Sequence, residues 1–390
     1  MNDIQTQQEA KAFRILVVGM TDRPGGLENF VIRYCEQLVA ANIRFDFLCR
    51  FPVCSFADRI ARIGGRVYTV TRRSRNPLLF YRQIYAFFKE HAKEYDAVWD
   101  NECMSSDLTP LMLAKRYHIR RRVYHSHSAG SADASWKGRI RTLLHRLHTH
   151  SLRRVATDYW ACSKAAAAWA FPKAVLAAQA YRIIPNAVST EEYRFDPTVR
   201  QAYRRSLGLD HAFVIGTVGH LQPPKNQSFL LEVFALFHRQ YHDAVLLFAG
   251  DGADREALEQ KTRTLGLTDA VRFLGHRNDV AKLLQAMDAF VMPSLFEGLG
   301  IAAVEAQVSG LPCVLSDRLP REVQFLKNVV FLPPDAAQPW SDALARMREL
   351  GAARADGSAG ARQAGYDIRA EAGRLENAWR GGDLGAAKVS

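Results

Sequence analysis

Short apolar runs that alternate with stretches of helical spacing are the feature that most constrains the fold of this chain. The first run, Phe13 to Met20, has the continuous hydrophobicity of a buried strand, and the turn Arg23 to Gly26 follows it. From Glu28 to Ala40, apolar residues recur at the spacing of a helix. A strand, a glycine turn and a helix in this order predict the opening of an α/β domain.

The same layout returns in the second half of the chain, after Asn186. Strand-like apolar runs there alternate with helical spacing, at residues 213–219, 245–249, 271–275, 289–292 and 312–315. We therefore predict an α/β protein of two Rossmann-like halves, joined near residues 185–205 and facing each other across a central cleft. Ligands of such folds bind outside the carboxyl ends of the strands.

The composition is that of an ordinary globular protein, with 48% hydrophobic and 24% charged residues. No apolar run reaches the length of about eighteen residues that a membrane-spanning helix needs, and Met1 to Ala10 is too polar for a secretory signal. Six scattered cysteines without metal-site spacing predict reduced thiols in the cytosol. The net charge of +12 is compatible with phosphorylated substrates, an anionic membrane surface or nucleic acid.

Two acids, Glu297 and Glu305, flank a glycine-containing turn and a helix start just after the run Ala289 to Met292. An α/β domain presents backbone N–H groups to a phosphate at such a turn and leaves acids for hydroxyl groups. If all eight steps between the acids were helical, they would span about 12 Å. Paired glycosidase carboxylates need only about 5–9.5 Å. The pair therefore suits the two ends of a nucleotide-sugar.

Lys225 lies in the segment Gly219 to Gln227, between a predicted strand and a predicted helix. Its ammonium group could neutralise a leaving diphosphate as a point charge. The alternative is an ordinary surface lysine. The acid pair that follows the next strands favours the functional interpretation.

His125 and His127 end the predicted strand Arg122 to Tyr124. Residues i and i+2 of an extended chain point to the same side. One ring could act near a reacting centre, or both could be ordinary polar residues at a strand end. A metal site is the weaker interpretation, because no third ligand lies nearby in the sequence.

Five blocks in the C-terminal half resemble the retaining family 4 glycosyltransferases of the GT-B fold. They are Lys225–Asn226, Phe248–Gly252, Leu274–Val280, Pro293–Glu305 and Gly310–Val314. Their order and spacing make the resemblance specific, although each block alone is a weak signal. The rest of the chain more loosely resembles the subgroup that makes bacterial exopolysaccharide, capsule or lipopolysaccharide, through Gly25–Glu28, His125–His127, Ala161–Ser163 and Ile184–Asn186.

The resemblance implies roles for the matching residues. Glu297 would bind donor sugar hydroxyls near the anomeric carbon, Glu305 would accept hydrogen bonds from the ribose, and Lys225 would stabilise the departing phosphate. One histidine, His125 in preference to His127, would contact the donor sugar near the reacting centre. The other donor contacts would come from Gly25, Gly26, His220, Arg277, Asn278, Gly298, Leu299, Gly300 and Ile301.

His220 departs from the family pattern, which usually has an arginine there. A histidine is shorter and only partly charged at neutral pH. Stabilisation of the leaving group would then rest more on Lys225, or on an arginine from elsewhere in the chain.

The sequence contains no Asp-x-Asp pair, which holds a metal on the diphosphate in the other large glycosyltransferase architecture. We therefore expect a site with no metal and no cofactor, in which a helix dipole and a lysine act on the diphosphate. The resemblance implies a front-face transfer with retention, in which the leaving phosphate helps to remove the acceptor proton.

The segment Ser135 to His148 is basic and has apolar residues at helical spacing. It could lie on an anionic membrane surface. Alternatively, its leucines could pack into the domain core and leave the arginines in water.

The predicted enzyme moves a hexosyl group from a UDP-sugar, or a GDP-sugar, to a glycan or lipid-linked acceptor in cell-surface polysaccharide biosynthesis. It would work in the cytoplasm, peripheral to the inner face of the plasma membrane. The expected parts are an acceptor-binding domain at 1–188, a nucleotide-sugar-binding domain at 189–365, a helix at 366–380 that crosses back to the first domain, and a disordered tail at 381–390.

Two alternatives remain open at the level of the sequence. A sugar-nucleotide epimerase can share this architecture and most of the phosphate contacts. A basic nucleic-acid-binding protein is the weaker alternative, because the sequence has no helix-turn-helix, zinc or aromatic-platform pattern.

Overall fold

The structure of the chain is a computed structural model that describes residues 12–23, 25–128, 130, 135–351, 354 and 356–381. These residues form two compact units. Unit 1 runs to Ile184 and takes up the chain again from Ala372, and unit 2 comprises Pro185–Glu371. Residues 382–390 of the expected tail lie outside the described residues.

Unit 1 is a parallel sheet with helices on both faces, in the strand order β3-β2-β1-β4-β5-β6-β7. Its strands are β1 (Phe13–Val18), β2 (Ile43–Cys49), β3 (Val67–Thr69), β4 (Ala97–Glu102), β5 (Arg121–Ser126), β6 (Asp158–Ala161) and β7 (Arg182–Ile183). Its helices are α1 (Gly26–Leu38), α2 (Ala57–Arg62), α3 (Pro77–His91), α4 (Thr109–Arg116), α5 (Trp136–Val155), α6 (Lys164–Ala170) and α7 (Lys173–Ala177).

The strands of unit 1 are apolar on both faces because helices cover both sides of a parallel sheet. Ile15, Leu16, Val17 and Val18 of β1 are all completely buried. This burial explains why the first strand appears in the sequence as a continuous apolar run and not as an alternating one.

Unit 2 repeats the design with the strand order β10-β9-β8-β11-β12-β13, again parallel. Its strands are β8 (Phe213–Val218), β9 (Ala244–Ala249), β10 (Val271–Phe273), β11 (Ala289–Met292), β12 (Cys313–Ser316) and β13 (Val329–Leu332). Its helices are α8 (Thr190–Tyr193), α9 (Pro197–Ser206), α10 (Gln227–Gln240), α11 (Arg255–Thr264), α12 (Val280–Ala286), α13 (Ile301–Val308), α14 (Ala337–Glu349) and α15 (Ser358–Gln363).

The last helix, α16 (Ile368–Trp379), ends in unit 1. Trp379 is 2% exposed there, and its ring lies 4.7 Å from that of Trp160 and 5.8 Å from that of Trp99. Arg121 covers the same ring at 5.2 Å. The C-terminal helix is therefore a part of the unit 1 core.

The Ala/Gly-rich stretch from Gly351 to Gly365, which the sequence predicts to be a mobile connector, contains the short helix α15. Ala361 of this helix is completely buried. A Cβ atom at Gly357 would overlap the carbonyl oxygen of Gln307. The small residues therefore allow this segment to pack closely against α13. Composition alone could not distinguish such packing from a flexible segment.

Among the described residues, none of the helices has both the length and the hydrophobicity needed to cross a membrane.

Candidate active site

The carboxyl edge of the unit 2 sheet carries most of the residues predicted to bind the donor. The strand order reverses between β8 and β11, because β9 and β10 extend the sheet on one side of β8 while β11, β12 and β13 extend it on the other. Ligands of doubly wound folds bind at such a switch point. A ligand is therefore expected at the loops after β8 and β11, residues 219–226 and 293–300.

These two loops are joined by hydrogen bonds. Leu295 N donates to Pro224 O at 2.8 Å, and Asn226 Nδ2 donates to Pro293 O at 3.4 Å. Asn226 adopts a left-handed φ of 56°, which asparagine tolerates better than most residues. Its backbone ends the 3-10 turn Pro223–Lys225 and starts α10. The position of the Lys225 backbone relative to the β11 loop is fixed by these contacts.

Lys225 and Glu297, which are 72 residues apart, form an ion pair in this place. Lys225 Nζ lies 2.5 Å from Glu297 Oε1, and Ser294 Oγ donates to the same oxygen at 2.8 Å. The side chains of the lysine and the glutamate are 26% and 11% exposed. A Cβ atom at Gly219 would lie 3.7 Å from Lys225 Cε, an ordinary contact distance, so the glycine is favoured by its φ of 150° and not by crowding from the lysine. The structure thus brings together Glu297, which the family resemblance assigns to the donor sugar, and Lys225, which it assigns to the departing phosphate.

Helix α13 begins directly after the Glu297 loop. Gly300 is its N-cap with a φ of 91°, a left-handed conformation that favours glycine, and no side chain of the residues that the structure describes caps the helix. Gly298, Leu299 and Ile301 complete the turn, and Leu299 is buried. The N-terminus of a helix without a side-chain cap offers backbone N–H groups and a positive dipole end to an anion.

Glu305 lies on α13 and is only 6% exposed. Tyr193 Oη, from α8, donates to Glu305 Oε1 at 3.0 Å. Only the four steps from Ile301 to Glu305 are helical, which corresponds to a rise of about 6 Å. The span of about 12 Å that an entirely helical segment would give therefore does not apply. Sequence reasoning missed Tyr193, which orients this carboxylate from a separate helix.

Arg277 is held by its own neighbours. Its guanidinium group donates to both carboxylate oxygens of Asp279, at 2.8 and 2.6 Å, and to Tyr203 Oη at 2.8 Å. His220 is half-buried and accepts a hydrogen bond from Gln227 Nε2 at its carbonyl oxygen, whereas Asn278 is exposed. The guanidinium plane of Arg277 is thus fixed without a ligand.

In unit 1, the carboxyl ends of β4 and β5 bring Asn101 and His127 together. His127 Nε2 donates to Asn101 Oδ1 at 2.9 Å, and His127 N donates to Glu102 O at 3.0 Å. Gly19, which follows β1, has a φ of 110°, and a Cβ atom there would overlap the carbonyl oxygen of Asn101. The glycine at the end of the first strand is therefore needed so that the adjacent strand ends can approach each other.

The rings of His125 and His127 lie on the same side of β5, as their spacing predicts, with centroids 4.2 Å apart. The Phe30 ring of α1 packs edge-on against both at 4.9 Å. His125 is completely buried and accepts a hydrogen bond from Trp99 Nε1 at 3.2 Å, whereas His127 is half-buried. His127 is therefore the more exposed of the two rings, but its Nδ1 is itself buried and has no partner among the described residues. His125 packs behind it.

Both histidines are neutral near pH 7. Burial lowers the pKa of His125 well below its ordinary value, and the neighbouring His127 adds to this effect. Burial also lowers the pKa of His127 to about 3. Because His127 Nε2 donates to the Asn101 carbonyl, its Nδ1 is the acceptor atom of the neutral ring.

Gly25 and Gly26 start helix α1, with Gly25 as the N-cap in an extended conformation. A Cβ atom at Gly26 would meet no atom within 4 Å. The fold of unit 1 therefore does not itself require a glycine at position 26. Nearby, Thr21 Oγ1 donates to the buried carboxylate of Glu28 at 2.7 Å, an interaction that the sequence did not predict.

An acidic pair at the end of β4, buried Asp100 and half-buried Glu102, was also missed. Asp100 is completely buried, and neither of its carboxylate oxygens has a partner among the described residues. Burial raises the pKa of Asp100 and of Glu102, while Arg50, which is ion-paired with Glu102, opposes the rise. In the sequence, only the polar residue at the end of a buried strand pointed to this acidic pair.

Two family models match the chain and together span most of it. The model described as Glycosyltransferase Family 4 matches residues 24–192, and the model described as Glycosyl transferases group 1 matches residues 199–364. The first match contains the unit 1 histidines, and the second contains Lys225, Arg277, Glu297 and Glu305.

Individual proteins give the same picture. The protein named glycosyltransferase EpsF, from Bacillus subtilis strain 168, is 28% identical to this chain over 373 residues. The alignment covers 94% of this chain and 96% of EpsF. UDP-Gal:alpha-D-GlcNAc-diphosphoundecaprenol alpha-1,3-galactosyltransferase of Escherichia coli is 36% identical over 141 residues, 35% of this chain and 36% of its own.

Among solved structures, HepE of Anabaena in complex with UDP-glucose superposes with a TM-score of 0.77 at 21% identity. The match covers 94% of this chain and 99% of that one. This similarity establishes the GT-B fold. Of the three interpretations that the sequence left open, the matches support the transferase. The chain is a glycosyltransferase of the GT-B fold, in which a Glycosyltransferase Family 4 domain precedes a Glycosyl transferases group 1 domain.

Proposed function

We propose that this enzyme transfers a hexosyl group with retention from a nucleotide-sugar to a glycan or lipid-linked acceptor in cell-surface polysaccharide biosynthesis. A UDP-sugar is the favoured donor, and a GDP-sugar is the second choice. The observation that carries the proposal is the Lys225–Glu297–Ser294 cluster beside the α13 N-terminus, at the switch point of unit 2.

The donor diphosphate would lie at the N-terminus of α13. Backbone N–H groups from Leu299 to Ile301 and the helix dipole would hold it there, with Gly298 and Gly300 keeping the backbone accessible. Glu305, oriented by Tyr193, would accept hydrogen bonds from the ribose. His220, Arg277 and Asn278 would lie towards the base.

Lys225 has three N–H donors, so that it can keep its bond to Glu297 and still donate to a phosphate oxygen. Negative charge grows on that oxygen as the bond between the anomeric carbon and the phosphate breaks. Stabilisation that increases in the transition state lowers the barrier. Glu297 would meanwhile hold sugar hydroxyls and keep the ammonium group in place.

The acceptor hydroxyl would form its bond to the anomeric carbon on the face that the phosphate leaves. Its proton would pass to the departing phosphate oxygen, so that no protein general base is required. Unit 1 would bind the acceptor, and the family resemblance assigns donor contacts to His125 or His127 and to Gly25 and Gly26. The reaction needs no metal or cofactor in this scheme, and we place it on the cytoplasmic side of the membrane.

A panel of UDP-, GDP- and ADP-sugars tests the donor assignment by thermal shift, with and without a chelator. A ligand present at a hundred times its Kd stabilises the fold by about 2.7 kcal/mol. We expect UDP-sugars to stabilise the protein equally in both conditions. Loss of the shift with the chelator would contradict the metal-free site.

Product analysis tests the reaction itself. We expect nucleotide release to depend on an acceptor, and the anomeric configuration of the product to match that of the donor. A new nucleotide-sugar formed without an acceptor would indicate an epimerase, and an inverted anomeric centre would refute retention.

A further inference from the structure

Helix α5 carries an apolar stripe on its outer surface. Trp136, Ile140, Leu143 and Leu147 are 68%, 46%, 58% and 60% exposed. Their spacing of three and four residues places them on one side of the helix. On the opposite side, His145 and Leu152 are buried in unit 1. The helix therefore already has a core-facing side, and the stripe is a second apolar side that stays largely exposed among the described residues of unit 1.

The neighbouring helices extend this surface. Helix α4 packs against both α3 and α5, and exposes Met112 at 57%. Helix α3 exposes Leu78 at 84% and Tyr81 at 46%. The three helices lie on the same face of the parallel sheet, because the crossovers β3 to β4, β4 to β5 and β5 to β6 all run in the same direction along the strand order and such crossovers are right-handed. The outer surface of α3, α4 and α5 is called the outer helical face below.

Its charge is strongly positive. The sequences of these three helices contain ten lysines and arginines and a single acid, Glu90. Arg139, Arg146 and Arg153 recur every seven residues along one flank of the apolar stripe, and all three are exposed. Arg116 of α4 lies over the ring of Tyr85 of α3 at 5.9 Å, so basic and aromatic groups also meet away from α5.

We infer that the outer helical face binds an anionic lipid bilayer, with the apolar stripe entering the headgroup region and the arginines contacting lipid phosphates. Apolar side chains on one side of a helix with basic residues beside them are the pattern of helices that lie in a membrane interface. Nucleic acid would match the positive charge of the face but would leave the apolar stripe in contact with water. A second copy of the same basic face would bring like charges together.

The orientation of the face suits a lipid-linked acceptor. Crossover helices begin where a parallel strand ends, so the N-terminal ends of α3 and α5 lie towards the carboxyl edge of the unit 1 sheet. Leu78 and Trp136, the most exposed apolar residues on those two helices, lie at these ends. His127 lies at the same edge. Membrane binding goes beyond the proposed reaction and does not depend on it.

Vesicle flotation of the full chain tests the inference, with phosphatidylcholine vesicles compared with vesicles that also contain phosphatidylglycerol. We expect flotation only with the anionic vesicles, and less of it at high salt. The variant Leu143→Ser/Leu147→Ser should lower the partition constant at least about tenfold. The variant Arg139→Gln/Arg146→Gln/Arg153→Gln should lower it about a hundredfold, at about fivefold for each arginine near the surface.

Matched controls come from unit 2. Leu350 is 84% exposed, and Arg205, Arg239 and Arg362 are exposed arginines. The variants Leu350→Ser and Arg205→Gln/Arg239→Gln/Arg362→Gln should float like the wild type. The melting temperature and the UDP-sugar affinity of every variant separate lipid binding from folding and from the proposed reaction.

Tryptophan fluorescence supplies a second readout. Trp99, Trp160, Trp340 and Trp379 are at most 2% exposed and Trp169 is half-buried, whereas Trp136 is 68% exposed. A blue shift on adding anionic vesicles should therefore come chiefly from Trp136, and Trp136→Phe should lose most of it. Failure of the wild type to float would overturn the inference. So would equal flotation of wild type and both outer-face variants, a preference for duplex DNA over vesicles, or a dimer that Leu143→Ser/Leu147→Ser disrupts.

Discussion

Replacement of Lys225 by methionine tests the proposed chemistry most directly. Methionine keeps an unbranched apolar side chain and removes the ammonium group that lies 2.5 Å from Glu297. If Lys225 stabilises the departing diphosphate, its loss removes an interaction that strengthens in the transition state. Loss of one such donor typically costs about 2.7–4 kcal/mol, which is about a hundredfold to a thousandfold in kcat.

The effect on folding should be much smaller. Exposed pairs contribute about 0–1 kcal/mol and charge-assisted hydrogen bonds about 1.5–3 kcal/mol. With side chains 26% and 11% exposed, the Lys225–Glu297 pair lies between these cases. We expect a loss near 1 kcal/mol, or a fall of about 2–4 °C in Tm for a unit of this size.

A matched control exists in the same unit. Lys261 Nζ lies 2.5 Å from Glu232 Oε1 and 2.8 Å from Ser228 Oγ, and its side chain is 28% exposed. Lys261→Met therefore removes a comparable Lys–Glu–Ser contact away from the β8 and β11 loops. Its kcat should match the wild type, and its Tm should change no more than that of Lys225→Met.

The assay is the release of UDP from a UDP-sugar, with Tm measured on the same samples. Near-normal turnover of Lys225→Met would refute the assigned role. An equal fall in kcat for Lys261→Met would show that the loss reflects stability and not the leaving group.

Three further predictions concern the other parts of the structure. Tyr193→Phe should raise the KM for the nucleotide-sugar several-fold with little change in kcat, because Glu305 loses the hydroxyl that orients it; an unchanged KM would argue against ribose binding by this carboxylate. Because the pKa of His127 falls from 6.5 to about 3 on folding, the unfolded chain binds more protons between these values, and stability falls as pH falls through this window. The contribution is at most about 1.4 kcal/mol per pH unit, and a flatter Tm–pH profile in His127→Gln than in wild type would verify it. Trp379→Ala should destabilise unit 1 by about 3–5 kcal/mol in denaturant unfolding, since three aromatic rings lose their neighbour; a change below about 1 kcal/mol would show that α16 is not a core element.

The sequence could predict the fold because each strand of a parallel sheet covered by helices is apolar along its length. The runs at Phe13–Met20 and Ala289–Met292 therefore stood out without an alignment, and glycines such as Gly219 marked where these runs end. The composition of residues 351–365 predicts a mobile connector, whereas the structure places helix α15 and the buried Ala361 within it, because small residues occur both in flexible chains and in close helix packing.

The site was harder to predict, because its contacts join residues far apart in the chain. No local pattern says that Lys225 meets Glu297, and none places Tyr193 on Glu305. The burial of His125 and His127 comes from tertiary contacts: Phe30, from a helix almost a hundred residues earlier, packs against both rings, and Trp99 Nε1 donates to His125. The sequence favoured His125, whereas the structure makes His127 the more exposed ring; which of the two meets a ligand stays a prediction.

Helix α5 shows why an apolar pattern alone could not decide between a core and a surface. Its sequence places leucines at helical spacing, and both a core-facing and a lipid-facing helix need that spacing. In the structure, a histidine and a different leucine, His145 and Leu152, face the core, while Leu143 and Leu147 face outward. His145 is satisfied there by Ser105 and the Trp169 carbonyl. The polar partners of a buried histidine therefore determine which side of the helix is inside, and they leave the leucines available for a membrane.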